Sequence, residues 1–411
     1  VTTRATAPGI GDSVMPYGRQ RIEADDIAAV VAVLEGYWLT TGPAVADFER
    51  ALCDATEARH AIACSSGTAA LHMAAMALDL GPGKTAIVPS VTFAATANAP
   101  RLTGCDVVLA DVDPETGLMR PEDFEAALTR APEAAAVFPV HMNGHAVEMA
   151  AIGEIARARG VAVVEDASHA LGGDVLDHAG TWRPVGACAD SAMTVFSFHP
   201  VKTVAMGEGG AVTTQDGTLA AALARLRNHG LHRDPAEFEA RDLAFDADGQ
   251  PNPWYYECRE PGLNYRASDI HCALGRSQLA KLDRFRAARA ALTARYDSLL
   301  APLAPLVRPL GRVGWSRPCW HLYVALIDFA ELGHSRAEVM RKLRERGIGT
   351  QVHYTPLHLQ PYYRDHCGAP SLPGAESYYA RCLSLPLHVG MAESDVDRVV
   401  AGIAACFDKA L

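Results

Sequence analysis

Val195-Phe-Ser-Phe-His-Pro-Val-Lys202-Thr-Val-Ala-Met-Gly-Glu-Gly-Gly210 is the stretch whose reading decides the fold. The run from Ser191 through Phe198 has the pattern of a buried strand, and Pro200 ends it because proline offers no N–H to a sheet ladder. Gly207, Gly209 and Gly210 let the backbone turn tightly behind it. Lys202 is therefore expected in the loop just past a strand end, where open α/β sheets place their chemistry. Taken alone, it also reads as an ordinary solvated loop lysine, so the rest of the chain has to decide.

Strand and helix patterns alternate on both sides of this stretch. His60–Cys64, Thr85–Pro89, Asp106–Asp111, Ala135–Val140, Val161–Val164 and Gly210–Thr214 read as strands. Apolar residues at helical spacing fall at Ile27, Val30, Val31 and Leu34, at Val45, Phe48 and Leu52, and at Leu219, Leu223 and Leu226. Such alternation from about residue 60 to 230 argues an α/β sheet. Residues 229–262 break the pattern with mixed charge and Trp254-Tyr-Tyr256, as a long aromatic loop. Ser268 is expected to cap one long helix with Ile270, Leu274, Leu282 and Phe285 inward. Beyond it, Tyr323–Phe329 and Gly349–Tyr354 read as strands, and Ser335-Arg-Ala-Glu338 as a capping box. A last helix capped by Ser394 faces inward with Val396, Val399, Val400 and Ile403. The expected division is a large domain over residues 16–265 and a smaller α+β domain over 266–411.

Composition narrows the function classes. At 411 residues the chain is long for one core, and 49% apolar content is that of a globular protein. A net charge of -11 argues against nucleic acid or an anionic membrane as partner, though a local cluster can still meet a phosphorylated ligand. The ten cysteines form no C-x-x-C pair, which fits reduced thiols in a cytoplasmic protein and neither a disulfide framework nor a zinc site. Val1 to Met15 lacks the apolar core of a signal peptide, and no apolar run reaches membrane-spanning length. His141 and His145 have metal-ligand spacing, but Gly144 and the loop context point to a structural or substrate-loop role, so no metal is expected.

Three points combine. Ser65-Ser-Gly-Thr68 lies between a buried strand and an apolar helix, which makes either an anion cradle or a plain N-cap. Asp166 ends a buried strand, where a carboxylate needs backbone N–H groups or a cation. Lys202 follows the next strand. If those strands are parallel neighbours, Asp166 and Lys202 emerge on one edge. Cradle, buried acid and lysine are what pyridoxal phosphate requires: a seat for its phosphate, a partner for its pyridinium nitrogen and an amine for its aldehyde. Phe93 is either core or the lid of a flat ligand.

These residues resemble the DegT/DnrJ/EryC/StrS family of sugar aminotransferases over nearly the whole chain. The matching pieces include Leu39-Thr-Thr-Gly-Pro43, Ser65-Ser-Gly-Thr68, Pro89-Ser-Val-Thr-Phe-Ala-Ala-Thr96, Glu165-Asp-Ala-Ser-His169, Asn264-Tyr-Arg and His353-Tyr-Thr-Pro-Leu-His358. The resemblance implies an aspartate aminotransferase-like, PLP type I fold with a mostly parallel seven-stranded sheet. It implies Lys202, Asp166 and His169 as catalytic residues. Ser66, Gly67, Thr68, Phe93, Ser197 and Asn264 join them in holding pyridoxal phosphate, with the pyridoxamine form as the second state. Asn264 is expected to reach a neighbouring subunit's cofactor, so a homodimer with shared sites is implied. Thr41, Arg227, His229, His353, Tyr354 and His358 are the expected substrate contacts.

Within the family, Phe198-His-Pro-Val-Lys202, Arg227-Asn-His-Gly230 and Trp254-Tyr-Tyr-Glu257 look most like the pseudaminic-acid-pathway C4 aminotransferases. That resemblance implies L-glutamate as donor and a UDP-linked 4-keto-6-deoxy-N-acetylhexosamine as acceptor, for surface-glycan or flagellin glycosylation. The alternative is a dTDP- or GDP-linked 3- or 4-keto sugar. A dehydratase branch carries histidine where this chain has Lys202, and no G-x-G-x-x-G follows an early strand for an oxidoreductase. A non-catalytic member that only binds cofactor is the remaining reading.

Overall fold

The computed structural model describes residues 14–407, so most of the Val1–Met15 stretch lies outside the described residues. Its centre is a seven-stranded sheet. In chain order the strands are β1 (His60–Cys64), β2 (Thr85–Pro89), β3 (Asp106–Ala110), β4 (Ala136–Val137), β5 (Ala162–Asp166), β6 (Met193–Ser197) and β7 (Gly210–Thr214). In space the order is β1-β7-β6-β5-β4-β2-β3. All adjacent pairs are parallel except those of β7, which runs antiparallel to both β1 and β6. The strands are buried almost throughout, as runs covered on both faces must be.

Register brings the expected chemistry to one edge. Asp166 lies beside Val195, and Gly210 lies between Cys64 and Ser197. The ends of β1, β5 and β6 therefore open together. Glycine is required where backbone crowds this edge: a Cβ on Gly210 would lie 2.2 Å from the Ser66 carbonyl oxygen, and one on Gly67 would lie 2.8 Å from the Ser197 Cβ.

A second core packs around a three-stranded antiparallel sheet of β8 (Val307–Pro309), β9 (Tyr323–Ile327) and β10 (Cys382–Leu385). Tyr296, Ile327, Val339, Leu385 and Ile403 are buried in it. The capping box at Ser335 forms as expected, with the Glu338 amide donating to Ser335 Oγ at 3.3 Å and Glu338 Oε2 accepting from the Ser335 amide at 2.8 Å.

Several local expectations are corrected. The helix from Ser268 is two, Asp269–Leu279 and Leu282–Leu300. Lys281 at the break leaves helical geometry and carries its buried ammonium to Asp25 and Asp26, each at 2.7 Å. Residues 349–354 form no strand; Gln351 makes a single bridge to Ser384, and the chain then turns so that His353 and Tyr354 face a cavity. The last helix begins at Glu393, so Ser394 lies inside it, and Asp395 rather than Ser394 accepts the Ala392 amide at 2.9 Å. Residues 229–262 are more ordered than a bare loop: Leu231–His232 pairs with Glu257–Cys258. Buried Glu257 accepts the amides of Glu239 and Ala240 and the Tyr255 hydroxyl.

The first helix, α1 (Ala24–Glu35), forms where the apolar spacing places it, but it turns much of that apolar face outward. Ile27, Val31 and Leu34 are 46%, 41% and 55% exposed. Asp26 is the buried residue instead, held by Ser277 Oγ at 2.6 Å, Gln278 Nε2 at 2.7 Å and Lys281.

Candidate active site

A cavity of about 490 Å³ opens over the sheet edge that carries β1, β5 and β6. It gathers Ser66, Gly67, Thr68, Phe93, Asp166, His169, Ser197, Lys202, His353 and Tyr354 from the expected residues.

Its floor is the start of the helix Gly67–Ala77. Ser66 is the N-cap and accepts the Ala69 amide at 3.1 Å, so the plain-capping reading holds. Capping with one side chain leaves the first-turn N–H groups of Gly67 and Thr68 without helical partners, aimed at the cavity beside the Thr68 and Ser197 hydroxyls. Capping and anion binding are thus compatible at one helix end.

Asp166 ends β5, where its Oδ1 accepts the Ser168 amide at 3.1 Å and its Oδ2 accepts the Thr96 hydroxyl at 2.7 Å. The Thr96 proton is committed to that carboxylate, so the 2.7 Å contact between Thr92 and Thr96 runs from Thr92 to Thr96. Lys202 enters from the loop after β6, where its amide donates to the His199 carbonyl at 2.8 Å. Burial, opposed by the Asp166 carboxylate, pushes the Lys202 ammonium down to about 8.

His169 stands on the far side. Its Nδ1 accepts the Asn143 amide at 3.5 Å, which leaves the proton on Nε2, 3.2 Å from the Tyr354 hydroxyl. Burial first, then Lys202 and His353, hold His169 well below the usual histidine range, so it stays neutral. His353 gives Nδ1 to the Ser384 hydroxyl contact at 2.7 Å and is pushed down to about 3 by burial and Lys202. His321, which the sequence did not single out, packs its ring 4.5 Å from that of His169 and is neutral for the same reasons. Phe93 is 59% exposed at the mouth, tilted against Tyr354 with ring centres 5.9 Å apart.

Five expected residues do not line this cavity. The Arg227 guanidinium donates to Glu49 at 2.5 Å and to the Ala63 carbonyl at 2.7 Å. His358 is buried between Ser90, at 2.7 Å, and Glu376, at 3.3 Å. Thr41, His229 and Asn264 lie on the surface of the chain. His141 and His145 form no metal pair: His141 bonds Glu165 at 2.6 Å, and His145 packs on Trp320. Among the described residues no group of His, Cys, Asp and Glu is arranged to hold a metal ion. Thr92 and Thr96 were missed in role, although their spacing of four, at the turn into a helix, was the available signal.

A buried acid bonded through both oxygens, a helix start with free N–H groups and an amine with a lowered proton affinity share one chamber. This fold and this chamber define a pyridoxal-phosphate enzyme of type I. Residues 20–404 match the model of the DegT/DnrJ/EryC1/StrS aminotransferase family. Among solved structures, Helicobacter pylori PseC, an aminotransferase involved in the biosynthesis of pseudoaminic acid, aligns with TM-score 0.86 and 26% identity, covering 96% of this chain and 99% of PseC. Spr1654 from Streptococcus pneumoniae in its PLP form aligns with TM-score 0.83 and 25% identity, over 97% of this chain and 100% of that one. DesI, solved in the presence of its TDP-sugar product, aligns with TM-score 0.81 and 31% identity, over 98% of this chain and 95% of that one.

The chain belongs to the DegT/DnrJ/EryC1/StrS aminotransferase family. It is a PLP-dependent sugar aminotransferase whose cofactor alternates with the pyridoxamine form, as Spr1654 is seen in both. Its substrates are a keto sugar nucleotide and an amino donor. No helix of the described residues is long and apolar enough to cross a membrane.

Proposed function

We propose that this enzyme moves the amino group of L-glutamate to the C4 ketone of a UDP-linked 4-keto-6-deoxy-N-acetylhexosamine. The observation that carries the chemistry is Lys202, an amine held near neutrality in proton affinity, opening into one cavity with Asp166 and the free helix start at Gly67. When bound, pyridoxal phosphate supplies an aldehyde for primary amines and a ring that takes up electrons. Gly67, Thr68 and Ser197 would hold its phosphate, Asp166 its ring nitrogen and His169 its ring hydroxyl, with Phe93 over its face. Lys202 Nζ would anchor its aldehyde carbon. Once displaced, the same nitrogen would take a proton from the donor's α-carbon and later deliver one to the sugar C4. Neutral His169 and His353 keep further positive charge away from that nitrogen.

The UDP-linked substrate is supported by likeness to PseC over nearly the full length of both chains, together with Phe198-His-Pro-Val-Lys202. DesI supports a second reading, a dTDP-linked sugar, at higher identity over a similar span. A homodimer with shared sites is supported by what the cavity lacks. Among the described residues, Lys202 is the one lysine or arginine lining it, too few cations for a phosphate, a diphosphate and two carboxylates. Surface-exposed Asn264 and the outward apolar face of α1 are available to a second copy. Cys53, Cys64, Cys105, Cys188, Cys258, Cys272, Cys319, Cys367 and Cys382 form no disulfide among the described residues, in keeping with a cytoplasmic enzyme. We also read the chain as two domains meeting near residue 265.

The deciding experiment follows the absorption band of the bound cofactor. L-Glutamate should abolish it, and one class among UDP-, dTDP- and GDP-linked keto sugars should restore it. Lys202→Ala should lose the native band and turnover. Survival of turnover in that variant would end the proposal.

A further inference from the structure

β1 is the outermost strand of the large sheet and pairs on one side only, with β7. On its open edge the backbone groups of Ala63 need partners from outside the sheet. Two side chains supply them. Glu49 Oε1, from the helix Pro43–Thr56, accepts the Ala63 amide at 2.9 Å. Arg227, at the end of the helix Gly217–Leu226, donates to the Ala63 carbonyl at 2.7 Å. The same guanidinium nitrogen meets the same Glu49 oxygen at 2.5 Å, which closes a ring of three bonds around one residue. The Arg227 and Glu49 side chains are 19% and 22% exposed, so this charge-assisted contact is largely shielded from water.

Arg227 reaches the following turn by a second route. Its carbonyl accepts the Tyr265 amide at 3.0 Å, and the Tyr265 carbonyl accepts the Ser65 amide at 2.8 Å. Between these two holds, Cys64 Sγ donates to the Ser66 carbonyl at 3.3 Å. The turn that leads into the helix start at Gly67 therefore hangs from Arg227 at both Ala63 and Ser65. Aim matters at this helix start. Among the described residues Lys202 is the one lysine or arginine lining the cavity, and its amine is taken by the aldehyde. The phosphate falls to N–H and hydroxyl donors, which bind an anion only as well as they point at it.

We propose that Arg227, with Glu49, is a positioning residue for the phosphate of the cofactor. By clamping Ala63 and Ser65 from behind, it fixes the direction in which the first-turn N–H groups of Gly67 and Thr68 point. It touches neither cofactor nor substrate. This role rests on the phosphate seat assigned above to Gly67, Thr68 and Ser197.

The test compares pyridoxal phosphate with pyridoxal, which lacks the phosphate, on the full chain freed of cofactor. Absorbance of the bound aldehyde gives each dissociation constant, with Lys202→Ala as the blank for reaction at surface lysines. Arg227→Met should weaken pyridoxal phosphate by about tenfold or more and leave pyridoxal within about twofold of native. Arg227→Lys keeps a charge and a donor and should recover most of the loss. Glu49→Gln keeps an acceptor for the Ala63 amide but loses the charge that holds the guanidinium, and should show the same selective loss at about threefold. Thermal melting reports whether each variant is folded, and Glu49→Gln carries the comparison if Arg227→Met is not. Folded variants with the native preference for pyridoxal phosphate overturn the role of Arg227. An equal loss for both aldehydes also overturns it, because a general packing defect would then be the cause. If the native enzyme itself binds pyridoxal as tightly as pyridoxal phosphate, the phosphate seat fails, and the role of Arg227 fails with it.

Discussion

The Thr96 hydroxyl donates to Asp166 Oδ2 at 2.7 Å, across 70 residues of sequence. It ties the helix Ala95–Leu102 to the end of β5 and leaves the acid one fixed orientation. Thr96→Val should keep the fold and lower turnover by roughly tenfold, the scale of one hydrogen bond to a charged group. Thr96→Ser should recover most of the loss. The measurement is steady-state kcat with the bound-cofactor spectrum. A Thr96→Val enzyme with native turnover would mean the orientation of Asp166 does not depend on this bond.

Lys202 predicts a pH profile. Its ammonium in the cofactor-free protein is depressed to about 8 by burial, against the opposing Asp166 carboxylate. Cofactor capture needs the neutral amine, so its rate should rise with pH through a midpoint near 8 and level off above it. Removing the opposing charge with Asp166→Asn should move that midpoint lower. Linkage has the same sign: between about 8 and the unfolded lysine value near 10.4 only the unfolded chain stays protonated, so Lys202 adds stability as pH rises across that window. Rapid-mixing absorbance over this range checks the midpoint, and one near 10 would contradict the buried amine.

Glu165 and His141 form a structural pair behind the site. Val147 donates to His141 Nδ1 at 3.1 Å, so Nε2 carries the proton that reaches Glu165 at 2.6 Å. The carboxylate also accepts the Ser191 and Thr194 hydroxyls. Burial raises the Glu165 carboxyl, and these bonds outweigh it and hold the carboxyl below its usual range. His141→Ala should cost about 3 kcal/mol in urea unfolding, from a lost charged hydrogen bond plus a cavity. Because the folded value is depressed, this stabilisation is fully present above the unfolded value near 4.3 and is lost as pH falls through the folded one. The gap between native protein and variant should therefore narrow in acid. A gap that widens there would reverse the sign assigned to Glu165.

The outward face of α1 bears on assembly. Ile27→Glu with Val31→Glu places charge on that face and touches nothing in the core. Light scattering should find the native chain dimeric and the double variant shifted to monomer, with activity falling in parallel. A native chain that stays monomeric at working concentration would remove the shared-site proposal.

How far the sequence could be read depended on whether a feature was local. Continuous apolar runs located β1, β2 and β7 to the residue, and the capping box at Ser335 needed only its own four residues. Lys202, Asp166 and the Gly67 turn stood out because each breaks a strand or helix pattern at a definite point. The reversed direction of β7 is set by pairing partners that no periodicity encodes. Apolar spacing in α1 indicated a face but not which way it points, and the buried Asp26 network decided that. Arg227 carries the right charge for a nucleotide, yet Glu49 and Ala63 occupy its guanidinium. Such competition between a cation's possible partners appears only in three dimensions.

Because β7 runs back alongside β6, the reactive lysine rides on a segment anchored at both ends. The Phe198 amide meets the Gly209 carbonyl at 2.9 Å, and the Met206 amide meets the Phe198 carbonyl at 2.9 Å, which cinches the segment between them. A parallel neighbour would have needed a crossover of a dozen residues or more, with the slack that implies. The ordering entropy of the Lys202 backbone is thus spent once, at folding, and not again at each encounter with substrate. In engineering terms this is the least forgiving place in the chain for an insertion: each added residue would lengthen the tether of the amine and loosen the aim of its proton transfers.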